Sequence, residues 1–186
     1  MGNRAIGKSG LKEGEYMSGQ NGKEIAQGIR AKMAEFRKSC EGLDEETSSR
    51  APGGRWSPKQ IVSHLCGPEG RGLLPTLKAF IERDTPEIDA EPENPQWSEK
   101  RSRMSLAELL AEFDREYTRI AAFVEGLSEE QLSRKAHIPM LKDSPLGEYP
   151  TLAQWAVGLS DFHIGFHIDH MREIVQALGL SRKKTG

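Results

Sequence analysis

The chain is poor in cysteine, with Cys40 and Cys66 alone among 186 residues. They lie far apart and form no Cys-x-x-Cys pair, which excludes a disulfide framework and favours free thiols in a reducing compartment. We expect both to be small buried apolar residues.

The chain also has no excess of positive charge. Its 26 lysines and arginines face 28 aspartates and glutamates, for a net charge of -2. Proteins that neutralise phosphates need a basic excess, so this balance disfavours nucleic acid as a partner. No apolar run approaches the roughly 20 residues of a membrane span, and the first residues lack the apolar core of a secretory signal. The sequence therefore predicts a cytoplasmic protein that binds neither nucleic acid nor membrane.

Several common motifs are missing. The sequence has no Gly-x-x-x-x-Gly-Lys phosphate loop, no His-Glu-x-x-His string and no Gly-x-Ser-x-Gly elbow, which leaves phosphate-loop and serine-hydrolase chemistry without support. No segment alternates apolar and polar residues between hairpin turns, as a half-buried strand would. The pattern predicts an all-α protein.

The length suits one domain. Residues 1–20 are rich in glycine and polar side chains and predict a flexible leader, with Met17 as an alternative start. We assign residues 21–180 to a single domain and residues 181–186 to a polar tail.

The positive signals are amphipathic helices. Four helix starts carry a capping side chain followed three positions later by Glu or Gln: Asn21, Ser57, Ser105 and Thr151. Glycines and prolines over residues 67–75 should interrupt the second helix. Residues 84–100, rich in proline and acids, predict an extended, exposed crossover before the third helix. The resulting fold is an antiparallel four-helix bundle with one long crossover loop.

The third helix has a clean apolar stripe and an acidic outer face. The acids that fall mostly outside the stripe are Glu108, Glu112, Asp114 and Glu116, and we expect them to be solvated. A di-iron bundle needs inward glutamates in Glu-x-x-His pairs, and the chain has none.

The last helix carries three histidines on its predicted inward stripe. That stripe consists of Leu152, Ala156, Leu159, His163, Phe166, His167, His170, Ile174 and Ala177. Side chains at i, i+4 and i+7 share a helical face, so the three imidazoles should lie within reach of one another, as in metal sites inside bundles. The structural alternative is a set of core histidines satisfied by hydrogen bonds. Asp169 lies off this face and should be exposed, and His137 should lie at the surface of an irregular segment.

Three motifs stand out along the chain. The first is Trp56-Ser57-Pro58-Lys59-Gln60-Ile61-Val62-Ser63-His64-Leu65. The second is Thr151-Leu152-Ala153-Gln154-Trp155, leading to His163 and His167, and the third is Ser128-Glu129-Glu130-Gln131-Leu132. Together they resemble the motifs of the DinB-like superfamily of metal-dependent hydrolases and thiol S-transferases, and the resemblance spans roughly residues 23–178. We expect Trp56 and Trp155 to brace helix starts.

The resemblance implies a four-helix bundle in which His64, His163 and His167 hold a divalent metal, zinc or nickel, with coordination positions left open. It also implies a low-molecular-weight thiol as co-substrate, such as bacillithiol, mycothiol or glutathione, and a small electrophilic substrate. Three imidazoles suit such ions, and an open position is typical of a reactive metal site. Relatives of this kind include homodimers.

Two alternatives stay open. His167 and His170 are a second choice of ligand pair; otherwise His170 is a proton carrier beside the metal. The competing function is a non-catalytic bundle, stress-related or binding a small molecule, with an empty or vestigial site.

Overall fold

The computed structural model describes residues 21–179, and within this range the chain is helical. Extended pairing in this range amounts to two single-residue bridges, Glu87 with His137 and Lys135 with Thr151. The all-α prediction is therefore confirmed. The predicted leader over residues 1–20, including Met17, and the tail over residues 181–186 lie outside the described residues.

The helices are, in chain order, α1 (Gly22–Ser39), α2 (Glu45–Ser49), α3 (Pro58–Leu65), α4 (Leu74–Glu82), α5 (Glu99–Arg103), α6 (Leu106–Glu125), α7 (Glu129–Leu132), α8 (Leu152–Val157) and α9 (Gly165–Ala177). A π-helical segment, Gly158–Ile164, joins α8 to α9 with helical backbone angles at both junctions. The bundle consists of α1, the interrupted pair α3 and α4, α6, and the continuous last helix. Each helix within residues 21–179 is too short or too polar to cross a membrane.

The predicted caps are present at all four main helix starts. Each of the four capping side chains accepts a hydrogen bond from the backbone N–H three residues later, and the Glu or Gln side chain at that later position accepts one from the backbone N–H of the capping residue. The capping residues are Asn21, Ser57, Ser105 and Thr151. Such a cap contributes about 1 kcal/mol to helix stability. Local sequence therefore defines where the bundle helices begin.

The core lies between α1, α3, α6 and the last helix. Phe36 of α1 packs on Phe113 of α6 with ring centroids 5.0 Å apart, and Tyr117 continues this stack at 4.8 Å. Gly22 begins α1 against the carbonyl of Val124, where any side chain would overlap that oxygen. This close contact sets the distance between the start of α1 and the end of α6.

Residues 84–100 do form a crossover between helices for most of their length, as predicted, but they are not exposed throughout. Ile88 is 5% exposed, and its N–H donates to the carbonyl of His137 at 2.9 Å. The end of the predicted loop is helical, because Ser98 caps α5. The crossover is thus fastened to the irregular segment that precedes the last helix.

Of the acids of α6, Glu116 is buried and Glu112 is half-buried, which corrects the prediction that both are solvated. Glu116 is 6% exposed, and Glu112 pairs with the fully buried Arg101 at 2.6 Å. Both carboxylates bind groups from distant parts of the chain, which the apolar stripe of α6 cannot reveal.

The inward stripe of the last helix is correct up to Leu159 and again at His167 and Ile174, but it is wrong at Phe166 and Ala177. Buried positions after Leu159 also include Ser160, Ile164, Ile168 and Met171, whereas Phe166 is 65% exposed and Ala177 is exposed. A π-helix closes its hydrogen bonds from i to i+5, one residue more than an α-helix. That extra residue brings Ile164, Ile168 and Met171 into the core, each one position after a residue of the predicted stripe.

Candidate metal centre

Three histidines from two distant helices meet in the structure. His64 lies on α3, His163 in the π-helical segment and His167 on α9. One ring nitrogen of each lies within 4.8 Å of those of the other two. His170 lies outside this group, with its ring centroid 5.7 Å from that of His167. The geometry therefore brings together the three residues that the resemblance singled out and sets His170 beside them.

The orientation of His64 is set by a backbone carbonyl. Its Nδ1 lies 2.7 Å from the oxygen of Asn94 in the crossover loop. A carbonyl oxygen only accepts, so Nδ1 carries the proton and donates. The Nε2 of the neutral ring then carries the lone pair, and it accepts a hydrogen bond from the Nε2 of His163 at 2.7 Å. Metal-binding histidines are commonly held in this way.

Burial keeps the cluster neutral. His64 is 7% exposed and His167 is 3% exposed. Desolvation lowers the pKa of His64. Desolvation, with a smaller contribution from the neighbouring imidazoles, lowers the pKa of His163 to about 3 and that of His167 to about 2. Neutral imidazoles offer lone pairs at neutral pH, as a metal ligand must.

Trp56 covers the histidine cluster. Its ring lies 5.0 Å from that of His64 and stacks on His167 at an interplanar angle of 8°. The expectation that Trp56 only braces a helix start missed this contact. Its position directly before Ser57 was the available signal, because a residue preceding a cap packs back onto the helix that follows.

The donor set fits a divalent cation. Among residues 21–179, the buried Nδ1 atoms of His163, His167 and His170 have no hydrogen-bond partner. Buried polar atoms without partners cost about 1 to 3 kcal/mol each, so core histidines normally find one. Three clustered neutral imidazoles, one oriented by a carbonyl, are instead the chemistry of a divalent metal site.

The loop that orients His64 is anchored by Arg101, a residue that the sequence analysis did not consider. Arg101 is fully buried, and its guanidinium donates to the carbonyls of Ser63, Gly67 and Gln96 at 3.0, 2.6 and 3.2 Å. Gln96 lies two residues from Asn94. Arg101 thereby ties α3 to the part of the crossover loop that supports its histidine.

The remaining candidates lie outside the cluster. His137 stacks on Tyr149 with ring centroids 4.9 Å apart. The Asp169 side chain is 72% exposed, as expected. Cys40 and Cys66 are buried free thiols, which confirms their expected role, and burial raises the pKa of each to about 12.

The comparisons agree with this fold. The family model of the DinB superfamily matches residues 29–174. YfiT from Bacillus subtilis, described as "a probable metal-dependent hydrolase with an unusual four-helix bundle topology", is similar at a TM-score of 0.69 and 19% identity, with 95% of each chain covered.

Two further solved structures share the fold. A Streptococcus pneumoniae protein has a TM-score of 0.60 at 12% identity, covering 86% of this chain and 93% of its own. An uncharacterized protein from Clostridium difficile 630 has a TM-score of 0.59 at 10% identity, covering 85% of this chain and 97% of its own. A comparison with curated proteins gave no match. Because the family match spans most of the bundle, the chain belongs to the DinB superfamily.

Proposed function

We propose that this chain is a metal-dependent enzyme, a hydrolase or a thiol-dependent S-transferase, acting on a small electrophilic metabolite. His64, His163 and His167 would hold one divalent ion, zinc or nickel. The observation that supports this most is the convergence of three neutral imidazoles, those of His64 and His167 buried and that of His163 half-buried, within 4.8 Å. The description of YfiT as a probable metal-dependent hydrolase points the same way.

The chain's residues have separate tasks in this proposal. A divalent ion bound by the three imidazoles would supply Lewis acidity, lowering the pKa of a bound thiol or water so that it becomes a nucleophile at neutral pH. The carbonyl of Asn94 holds His64 in the tautomer with an unprotonated Nε2, the nitrogen that would bind the ion. Trp56 excludes water from one side of the cluster.

His170 is suited to accept the proton. Desolvation, followed by the nearby charge of Arg55, lowers its pKa, so the ring is neutral at neutral pH and has a ring lone pair available. The carboxylate of Glu173 works against this pKa shift and favours the protonated ring. It lies beside His167 without belonging to the group of three converging nitrogens. We propose it as a proton carrier rather than a ligand.

The first test is metal content. Elemental analysis of purified protein should find roughly one divalent ion per chain. His64→Ala should lose it, and His137→Ala, which replaces a histidine outside the cluster, should retain it. A chelator should lower the thermal midpoint of the wild type and of His137→Ala but not of His64→Ala, because an ion bound only to the native state stabilises it by mass action.

Absence of metal in both the wild type and His137→Ala would contradict the proposal and favour a non-catalytic bundle. If metal is present, electrophiles incubated with and without a low-molecular-weight thiol distinguish the two reactions. Thiol consumption indicates transfer, whereas product formation without thiol indicates hydrolysis.

A further inference from the structure

A cavity of about 670 Å³ opens beside the metal centre, and His64 and His163 form part of its wall. The rest of the wall comes from residues 67–76, which connect α3 to α4 and include its first turn, the crossover loop, the irregular segment before the last helix, and the last helix itself, including its π-helical segment. Cavities that bind small molecules typically measure about 300 to 1,000 Å³. The size and position are therefore those of a substrate site.

The wall is largely apolar. Leu141, Leu146 and Leu159 line it together with Trp155 and Ile88. No helix or loop within residues 21–179 fills this space. A ligand that displaced water from these side chains would gain by the hydrophobic effect.

Exposed apolar side chains concentrate at the same place. The large apolar residues most exposed in residues 21–179 are Met140, Tyr149, Phe162 and Phe166, at 46%, 51%, 62% and 65%. All but Tyr149 line the cavity. The π-helix accounts for Phe166, because the register change turns it out of the core. Clustered exposed apolar surface of this kind marks a binding site.

Charge does not dominate the cavity. Its charged lining residues, Arg71, Asp89 and Glu91, are all exposed. The Glu91 carboxylate accepts from the side-chain amides of Asn94 and Gln96 and is thereby occupied. A basic pocket for an anionic substrate would place cations along the wall, and here Arg71 is matched by Asp89.

We propose that this cavity binds the substrate of the reaction and that the substrate is a neutral compound with a mainly apolar body. Its reacting group lies beside His64 and His163, and its hydrocarbon or aromatic part lies against Leu159, Phe162 and Phe166. The role as substrate site rests on the proposed metal-dependent function; the apolar preference rests on the cavity wall.

A displacement assay tests the preference. The neutral fluorophore 1-aminoanthracene serves as the reporter on wild-type protein, and n-hexanol, n-heptanol and n-octanol compete with it. Burial of each methylene in an apolar site should tighten binding about fourfold. Octane-1,8-diol, of similar length but polar at both ends, should compete far more weakly than n-octanol. Equal competition by the diol and the alcohol, or no trend with chain length, would overturn the proposal.

A pair of exposed aromatic residues locates the site. Phe162→Ser should weaken 1-aminoanthracene binding roughly tenfold, since the side chain becomes buried when the cavity fills. Tyr149→Ser, also an exposed aromatic but outside the cavity, should leave binding unchanged. Circular dichroism checks that both variants are folded.

Two further readouts separate the possible failures. If Phe162→Ser converts a dimer into a monomer without changing probe affinity, the patch is a contact between copies and the proposal is wrong. Metal analysis of the same samples tests the proposed function separately. If the wild type contains no metal but alcohol affinity rises with chain length as expected, the metal-dependent function is wrong and the apolar site is supported. If the protein contains metal but alcohol affinity shows no such trend, the apolar site is wrong and the metal-dependent function is not affected.

Discussion

Glu116 shows how one side chain can serve a distant helix. Its carboxylate accepts the backbone N–H groups of Leu73 and Leu74 at 2.6 and 2.7 Å. Helix α4 has no capping side chain of its own, so Glu116 caps it from α6. Gly72 permits this approach because it has no side chain: a Cβ at this position would overlap the Glu116 carboxylate. Its φ of +69° is also one that glycine adopts readily. Burial of Glu116 thus follows from a need of α4 rather than from the pattern of α6.

Replacing Glu116 with alanine should lower the free energy of unfolding by about 2 to 4 kcal/mol, because two N–H groups lose a charged acceptor. Urea unfolding measures the change. Glu125→Ala on the same helix removes an exposed carboxylate paired with Arg30, and it should leave the midpoint nearly unchanged. Equal losses in the two variants would argue against a capping role for Glu116.

Arg101 connects several helices and a loop, whereas Glu116 caps the end of a single helix. From the short helix α5, Arg101 binds α3, the crossover loop and, through Glu112, α6. The Ser63 hydroxyl adds a bond to the same Gln96 carbonyl at 2.8 Å. These contacts hold the loop against α3, so that the carbonyl of Asn94 lies where it can accept the hydrogen bond from His64.

Arg101→Met should destabilise the fold by about 3 kcal/mol or more, since several buried carbonyls and a partly buried carboxylate lose their donor. Thermal and urea unfolding give the magnitude. Arg103→Met on the same helix removes an exposed partner of Glu99 and should have a much smaller effect. A neutral result for Arg101→Met would show that the network is not needed for stability.

The π-helical segment determines which faces of the last helix point where. Without it, His163, Phe166 and His170 would continue the core stripe that begins at Leu152. With it, Ile164 and Ile168 occupy the core, and the histidines turn toward α3 and the cavity. Because of the residue added in this turn, these two isoleucines face the core while the histidines of the same helix face another direction.

The stability of the whole molecule should depend on pH through its histidine cluster. Above the ordinary histidine pKa of 6.5, the rings are neutral in both the folded and the unfolded chain. Below it, the unfolded chain takes up protons that the folded cluster does not, because burial lowers the pKa of His163 to about 3 and that of His167 to about 2. The free energy of unfolding therefore falls as the pH falls from 6.5 toward those values.

In chelator-treated protein, the free energy of unfolding should fall by about 1.4 kcal/mol per pH unit for each such histidine. This slope applies once the pH is below the pKa that a histidine has in the unfolded chain. Urea unfolding at several pH values between about 7 and 5 measures the slope. His163→Gln should make the slope shallower by about one histidine's share. His137→Gln, outside the cluster, tests whether the effect belongs to it. An identical slope in wild type and His163→Gln would contradict this account.

Local signals in the sequence were enough for much of the fold. The capping residues Asn21, Ser57, Ser105 and Thr151 depend on contacts three positions away, so one stretch of chain contains all the information needed. The break after Leu65 likewise follows from glycines and prolines in place. Helical spacing and the family resemblance together indicated His163 and His167, and the resemblance alone indicated His64.

Only the tertiary structure decided the rest. The Asn94 carbonyl, the Arg101 network and the burial of Glu116 all join residues at least five positions apart, most of them thirty or more, and no local pattern encodes such partners. The π-helical segment adds a residue to one turn of the last helix, and a fixed period of 3.6 residues cannot represent this change of register. Sequence thus determined where the helices begin and which residue types they carry, whereas long-range packing decided which side chains meet in the histidine cluster and which face the cavity.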